Sequence, residues 1–148
     1  MQFRTKLIAP SPDVADLVHT FYIIETDSER IEEAIPAYSA QMFVVVRGRL
    51  EITHAEGRTA QSAIVTINAP QLRSAPCVLH GPVMLVGASL THVSWQRLSN
   101  LPADTVHDQL IPAPALLSAE QLASLEAAAA ACREGRMAPD ELCQHLTA

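Results

Sequence analysis

Six histidines, His19, His54, His80, His92, His107 and His145, are the side chains of this 148-residue chain best suited to hold a metal ion. Imidazole sites on small β-folds need two histidines on one strand face or helix turn, with further ligands converging on them. No His-x-His and no His-x-x-x-His spacing occurs here, so no ligand pair can be assembled locally and no metal is expected. Nucleophilic chemistry finds as little. Ser89 follows Gly87-Ala88, but Leu90-Thr91 comes next and no Gly-x-Ser-x-Gly elbow is formed. A serine at the end of an apolar strand reads as packing or a local hydrogen bond. The five glycines are dispersed, so no loop can cradle a phosphate. Glu32-Glu33 and Asp140-Glu141 fall in a loop and at a helix start, where solvation or the helix dipole explains them. These residues predict no catalytic set, no cofactor and no enzyme.

Composition narrows the class further. Hydrophobic residues make up 49% of the chain and charged residues 18%, a globular balance. Net charge is -6, and no two of the ten Lys and Arg are adjacent, so the electrostatic footprint of a nucleic-acid binder is missing. Cys77, Cys132 and Cys143 show no Cys-x-x-Cys spacing and leave one thiol unpaired in any disulfide scheme. They read as reduced, buried thiols of a cytoplasmic protein. No apolar run approaches the roughly 20 residues of a membrane span, and the start of the chain does not read as a leader.

The order of elements predicts a β-rich unit over 1–91 and a helical unit over 92–148 packed on it. Ser11-Pro12-Asp13 suits a helix start, with Val14, Leu17 and Val18 as its apolar face. Phe21 to Ile24 is aromatic and β-branched, hence a strand, and Thr26 to Glu33 reads as a loop. Met42 to Val46 and Leu50 to Thr53 read as a hairpin turning through Gly48. Ala63 to Ile67 is a further strand. Leu72 to Leu79 contains Pro76 and reads as an edge strand at best. His80-Gly81-Pro82 then turns the chain into a strand from Val83 to Leu90. Short strands punctuated by turns imply an antiparallel sandwich or barrel.

Helical patterns follow at His92 to Leu98 and Asp104 to Leu110. Ser118 and Gln121 form a capping box for a helix that Gly135 closes, and Pro139 opens a last one. Leu122, Leu125, Ala129 and Cys132 make its apolar stripe, which can pack on the chain's own sheet or join two chains in a dimer. Tyr22, Tyr38 and Trp95 have apolar bodies and polar tips, so they are candidates to line a ligand pocket as well as to fill the core.

This succession resembles the N-terminal effector-sensing domain of AraC-type bacterial transcription regulators. Pro10-Ser11-Pro12 with Leu17-Val18 and Phe21-Tyr22 is similar to that family's opening, and Ile35-Pro36 and Gln41 to Val46 continue it. Gly81-Pro82-Val83 and Leu85-Val86-Gly87 match its glycine-bearing strand. Leu101-Pro102-Ala103 and Asp108 to Pro112 are the closest part. Ala37-Tyr38 and Thr91-His92-Val93 stand where the family often carries Asp-Gly and Pro-Gly. The resemblance implies a cupin-like β-barrel or sandwich, a small-molecule effector inside it, and helices that join a homodimer. It also implies a separate helix-turn-helix reader for DNA, which these 148 residues do not contain, so no direct nucleic-acid contact is expected of this chain. Two other classes stay open: a small cupin-like enzyme, either an isomerase or a metal-dependent dioxygenase, and a module that binds a protein partner.

Overall fold

Uninterrupted apolar runs in a β-rich chain mean strands covered on both faces, and Met42 to Val46 and Val83 to Val86 are such strands. The computed structural model describes residues 4–35, 39–53, 59–99 and 107–146. It contains β1 (Arg4–Ile8), β2 (Val18–Thr26), β3 (Arg30–Ile35), β4 (Gln41–Thr53), β5 (Thr59–Gln61), β6 (Val65–Asn68), β7 (Ala75–Leu90) and β8 (Leu110–Pro112). The helices are α1 (His92–Ser99), α2 (Ala119–Arg133) and α3 (Pro139–His145), with a 3₁₀ turn at Ala113–Ala115 before α2. All strand pairs are antiparallel, in the order β1-β2-β7-β4-β6-β8. The mainly β fold with C-terminal helices is the expected one.

Two long strands organise it. β4 has 13 residues and β7 has 16, and they pair along most of their length. In one half β7 lies between β2 and β4; in the other it lies between β3 and β4, while β5 pairs with the end of β4. The two halves meet around an inner core that draws Phe43, Val45 and Leu85 from one, and Ile31, Leu50, Ile52, Cys77 and Leu79 from the other. The outer face of the first half carries Phe21, Ile23, Met42, Val44, Val46, Val86 and Ala88. There it packs against Trp95 of α1, Leu125, Ala129 and Cys132 of α2, and Leu142 and Cys143 of α3.

Several local expectations give way to this arrangement. No hairpin turns at Gly48: β4 continues through it, with register shifts between Val45 and Arg47 and between Arg47 and Arg49 that bend the strand. His80-Gly81-Pro82 is likewise no turn, because β7 continues through it. Leu72 to Leu79 is no edge strand, since β7 from Cys77 lies between β3 and β4. Pro76 is tolerated near the start of the strand, just beyond Cys77, the last residue to pair with β4, so its missing N–H breaks no bond to that neighbour. The loop expected to run to Glu33 ends earlier, and β3 starts at Arg30 to cover the second half of β7.

The helix expected from Pro12 is a series of turns. Val14 N donates to Ser11 O, and Leu17 N and Val18 N donate to Val14 O, before β2 takes over at Val18. Of the helix expected from Asp104 to Leu110, the first three residues lie outside the described ones. Leu110 belongs instead to β8, which pairs with β6 and extends the sheet. Asp108 at φ 50 breaks any helix there.

The capping box is present: Gln121 N donates to Ser118 Oγ at 3.1 Å and Ser118 N to Gln121 Oε1 at 2.9 Å. At the other end Gly135, at φ 78, lets Arg136 N reach Ala131 O and Gly135 N reach Cys132 O, a Schellman closure. Arg133 Nε donates to Val46 O at 2.8 Å and ties α2 to β4.

Gly48 has φ 77, and a Cβ built there would stand 2.6 Å from His80 O and 2.7 Å from Pro82 O. Gly48→Ala is therefore expected to cost at least about 2 kcal/mol, from left-handed strain and backbone collision together. Ser118→Ala, which removes one cap, should cost about 1 kcal/mol. Urea unfolding of the two variants checks the order, and a Gly48→Ala midpoint equal to that of the parent would contradict the close backbone approach at Gly48.

Candidate functional site

Inward-facing positions of the two strand halves do not fill the space between them. A cavity of about 440 Å³ remains, within the roughly 300–1,000 Å³ of small-molecule sites. Its apolar wall is made by Tyr22 and Ile24 of β2, Phe43 and Leu50 of β4, and Cys77, Leu79 and Leu85 of β7. Its rim carries exposed Thr5 and Leu7 of β1 and exposed Glu33 and Ala34 of β3.

One end is polar. Ser39, Gln41, Asn68, Gln71 and Ser89 gather there. Gln41 precedes Phe43 and Ser89 follows Leu85 at even spacing on their strands, so both share the inward face, and they are register partners. Ser89 Oγ donates to Gln41 Oε1 at 3.1 Å, and Gln41 Nε2 donates to Ser39 O at 3.2 Å. Asn68 Nδ2 donates to Gln71 Oε1 at 3.0 Å, and Gln71 Nε2 donates to Ile35 O at 2.8 Å. Ser39 Oγ is enclosed and has no hydrogen-bond partner among the described residues.

The turn carrying Gln71 is held from behind by Asp108. Its Oδ1 accepts from Leu72 N at 3.0 Å and Arg73 N at 3.3 Å, while His107 Nδ1 lies 2.8 Å from Oδ2. Burial alone would raise this carboxyl. The bonds from His107, Arg73 and Leu72 outweigh that and hold it below its ordinary value, so it stays ionised.

Tyr22 sits opposite Gly87 across the β2–β7 pair. A Cβ at Gly87 would lie 2.4 Å from Tyr22 Cζ, so the ring occupies the place a side chain would take. Burial raises the Tyr22 phenol well above its ordinary value and keeps it a neutral hydroxyl.

Of the three aromatics singled out by the sequence, Tyr22 lines the cavity and Tyr38 lies outside the described residues. Trp95 is in the outer core, 1% exposed, away from the cavity lining. Leu125, Ala129 and Cys132 are buried in that same outer core and Leu122 is half-buried against it, so the α2 stripe faces its own sheet. The polar cluster was missed. Its one signal is parity: Gln41 and Ser89 interrupt apolar strands on the same alternation as Phe43 and Leu85. Ser89, the serine weighed for catalysis, spends its proton on an amide oxygen.

Comparisons with known proteins assign this chain neither a family nor an activity. No protein-family model matches the sequence, and no curated protein matches it either. Among solved structures, a cupin superfamily protein from Desulfitobacterium hafniense DCB-2 is 16% identical, with TM-score 0.42 over 60% of this chain and 77% of that one. The Cnp3 cupin domain of Schizosaccharomyces pombe is 15% identical, with TM-score 0.44 over 66% and 71%. ToxT from Vibrio cholerae O395, bound to (E)-4-(8-methylnaphthalen-1-yl)but-3-enoic acid, is 8% identical with TM-score 0.42. That match covers 99% of this chain and 54% of ToxT, so this chain spans about half its length.

Buried thiols and the buried phenol set the alkaline behaviour. Burial pushes Cys77 from 9.0 up to about 11, helped by the Glu33 carboxylate, and burial with Asp140 does the same for Cys143. A proton held more tightly in the folded state leaves stability intact below the unfolded value. Stability should then fall as pH rises from about 9 through about 11, because the unfolded chain ionises first. Urea midpoints should drop across that window, and a disulfide reagent at pH 8 should label the thiols only as the protein unfolds. Labelling of the native protein at the rate of a free peptide cysteine would contradict it.

Helices α1, α2 and α3 cover one face of the sheet, and the cavity lies on the other.

Proposed function

We propose that this chain is a ligand-sensing domain of the AraC type, non-catalytic and cytoplasmic, whose effector occupies the cavity between the two strand halves. One observation carries the reading: an apolar chamber of about 440 Å³ that ends in a cluster of hydrogen-bonding amides and hydroxyls. A few convergent polar groups at one end of an apolar wall suit a site that orients a small molecule. Hydrogen bonds to one another and to backbone hold Gln41, Asn68, Gln71 and Ser89 in place, and Gln41 gives Ser89 no base to take its proton. Three buried free cysteines suit a reducing compartment.

Sensing requires that occupancy be felt elsewhere. Gln71 belongs to the turn that Asp108 clasps, and Asp108 immediately precedes the segment leading into β8 and α2. A ligand at the polar end therefore touches a turn tied to the helical part, which is the differential contact an effector needs. A homodimer belongs to the same reading. The stripe on α2 is engaged with its own sheet, so pairing would use other surfaces, such as the outer edges of β1 and β8 that end the strand order.

A metabolite screen by thermal shift tests the sensing role. A true effector at about a hundred times its Kd should stabilise by about 2.7 kcal/mol, or roughly 5–10 °C for a domain of this size. Gly87→Ala should abolish the shift by driving the Tyr22 ring into the cavity. An effector whose shift survives Gly87→Ala unchanged binds elsewhere and refutes this site. Light scattering that finds only monomer at high concentration, with and without effector, removes the dimer.

A further inference from the structure

The charge of the cavity wall restricts what it can hold. Among the described residues lining it there is no Lys, Arg or His, and its single carboxylate is Glu33 on the exposed rim. Strand alternation accounts for this. Lys6 stands between the lining residues Thr5 and Leu7 on β1, so it projects to the other face, where its ammonium meets Asp140 of α3 at 2.6 Å. Arg49 on β4 donates to Gln61 Oε1 of β5, and Arg4 pairs with Glu25 and Asp27. The nearby bases are turned outward.

What faces inward is uncharged, and it is incomplete. Ser39 Oγ is enclosed without a hydrogen-bond partner among the described residues, an uncommon state for a buried hydroxyl. Beside it, Gln41 Nε2 gives one hydrogen to Ser39 O and has a second to offer. A carbonyl or hydroxyl oxygen entering the cavity would satisfy both. A carboxylate would lose its water with no cation to replace it, and Glu33 would repel it at the rim. An ammonium would find its only counter-charge on that rim, where Glu33 is already solvated.

Building on the effector-binding role, we propose that the cavity selects an uncharged molecule, an apolar body bearing one carbonyl or hydroxyl group seated against Ser39 and Gln41. Four naphthalenes substituted at the same ring position separate the possibilities. Acetylnaphthalene is neutral with a carbonyl, naphthoate is anionic, naphthylmethylammonium is cationic, and ethylnaphthalene is purely apolar. Titration followed by NMR at neutral pH should show acetylnaphthalene binding about ten-fold or more tighter than either ion, and about five-fold tighter than ethylnaphthalene. Ser39→Ala and, separately, Gln41→Leu should each reduce the advantage over ethylnaphthalene while the ethylnaphthalene affinity changes by less than about two-fold. The apolar probe thus reports an intact cavity in either variant. Naphthoate or the ammonium binding as tightly as acetylnaphthalene would overturn the charge selection and leave the cavity a ligand site. An advantage that survives both substitutions would overturn the assignment of Ser39 and Gln41. Binding by none of the four would overturn occupancy of the cavity, and this proposal with it.

Discussion

Val45 of β4 pairs with Leu85 of β7, and further along Leu50 pairs with Leu79; five steps on one strand are matched by six on the other. A strand's side chains alternate with period two, so a net shift of one residue exchanges its faces. Phe43 and Val45, at odd positions, point inward before the shift, and Leu50 and Ile52, at even positions, point inward after it. β7 keeps the same parity throughout, with Cys77, Leu79, Val83 and Leu85 all in the inner core. Without that shift the second half of β4 would turn Leu50 and Ile52 to water. Gly48 makes the passage possible because its left-handed backbone and missing Cβ admit the close approach of His80 O and Pro82 O.

From this bend follows the division of the molecule into an inner and an outer core. The outer core is apolar, with Trp95, Leu125, Ala129 and Leu142 closing over the sheet. The inner one is lined but not filled. At Gly87 the strand supplies no side chain, and the Tyr22 ring covers the backbone there instead. At Gln41, Asn68 and Ser89 it supplies polar groups in place of apolar ones. Each of these choices sacrifices packing for a chamber, a pattern expected of a binding site and wasteful in a purely structural core.

Much of the fold was legible in the sequence. β2, β6 and the second half of β7 were readable from β-branched runs, α2 from its capping box and closing glycine, and α3 from Pro139. The misreadings share a cause. Gly48, Gly81-Pro82 and Pro76 were taken as punctuation, the role such residues have in isolated hairpins. Here they lie within two long strands, where a bulge, a bend and a strand start use the same residues. Propensity cannot tell a turn from a bent strand, because the difference is whether a third strand waits to pair beyond it. β3 and β5 do wait there. The site was less legible. Tyr22, singled out for its amphipathic ring, lines the cavity, while Trp95, chosen on the same ground, went to the other core. Gln41, Asn68, Gln71 and Ser39 went unnoticed because amides and hydroxyls look alike on a surface and in a pocket.

By itself, then, the sequence determined the class of the molecule: a β-rich chain with a helical C-terminal part, acidic, its histidines too scattered for a local metal pair. Those properties are local or additive, set by composition and by spacings within one element. Which apolar residues face the helices and which face the cavity was decided only by the tertiary structure. That choice depends on the register between β4 and β7, and register is fixed by pairing across distant parts of the chain rather than by any residue's own preference.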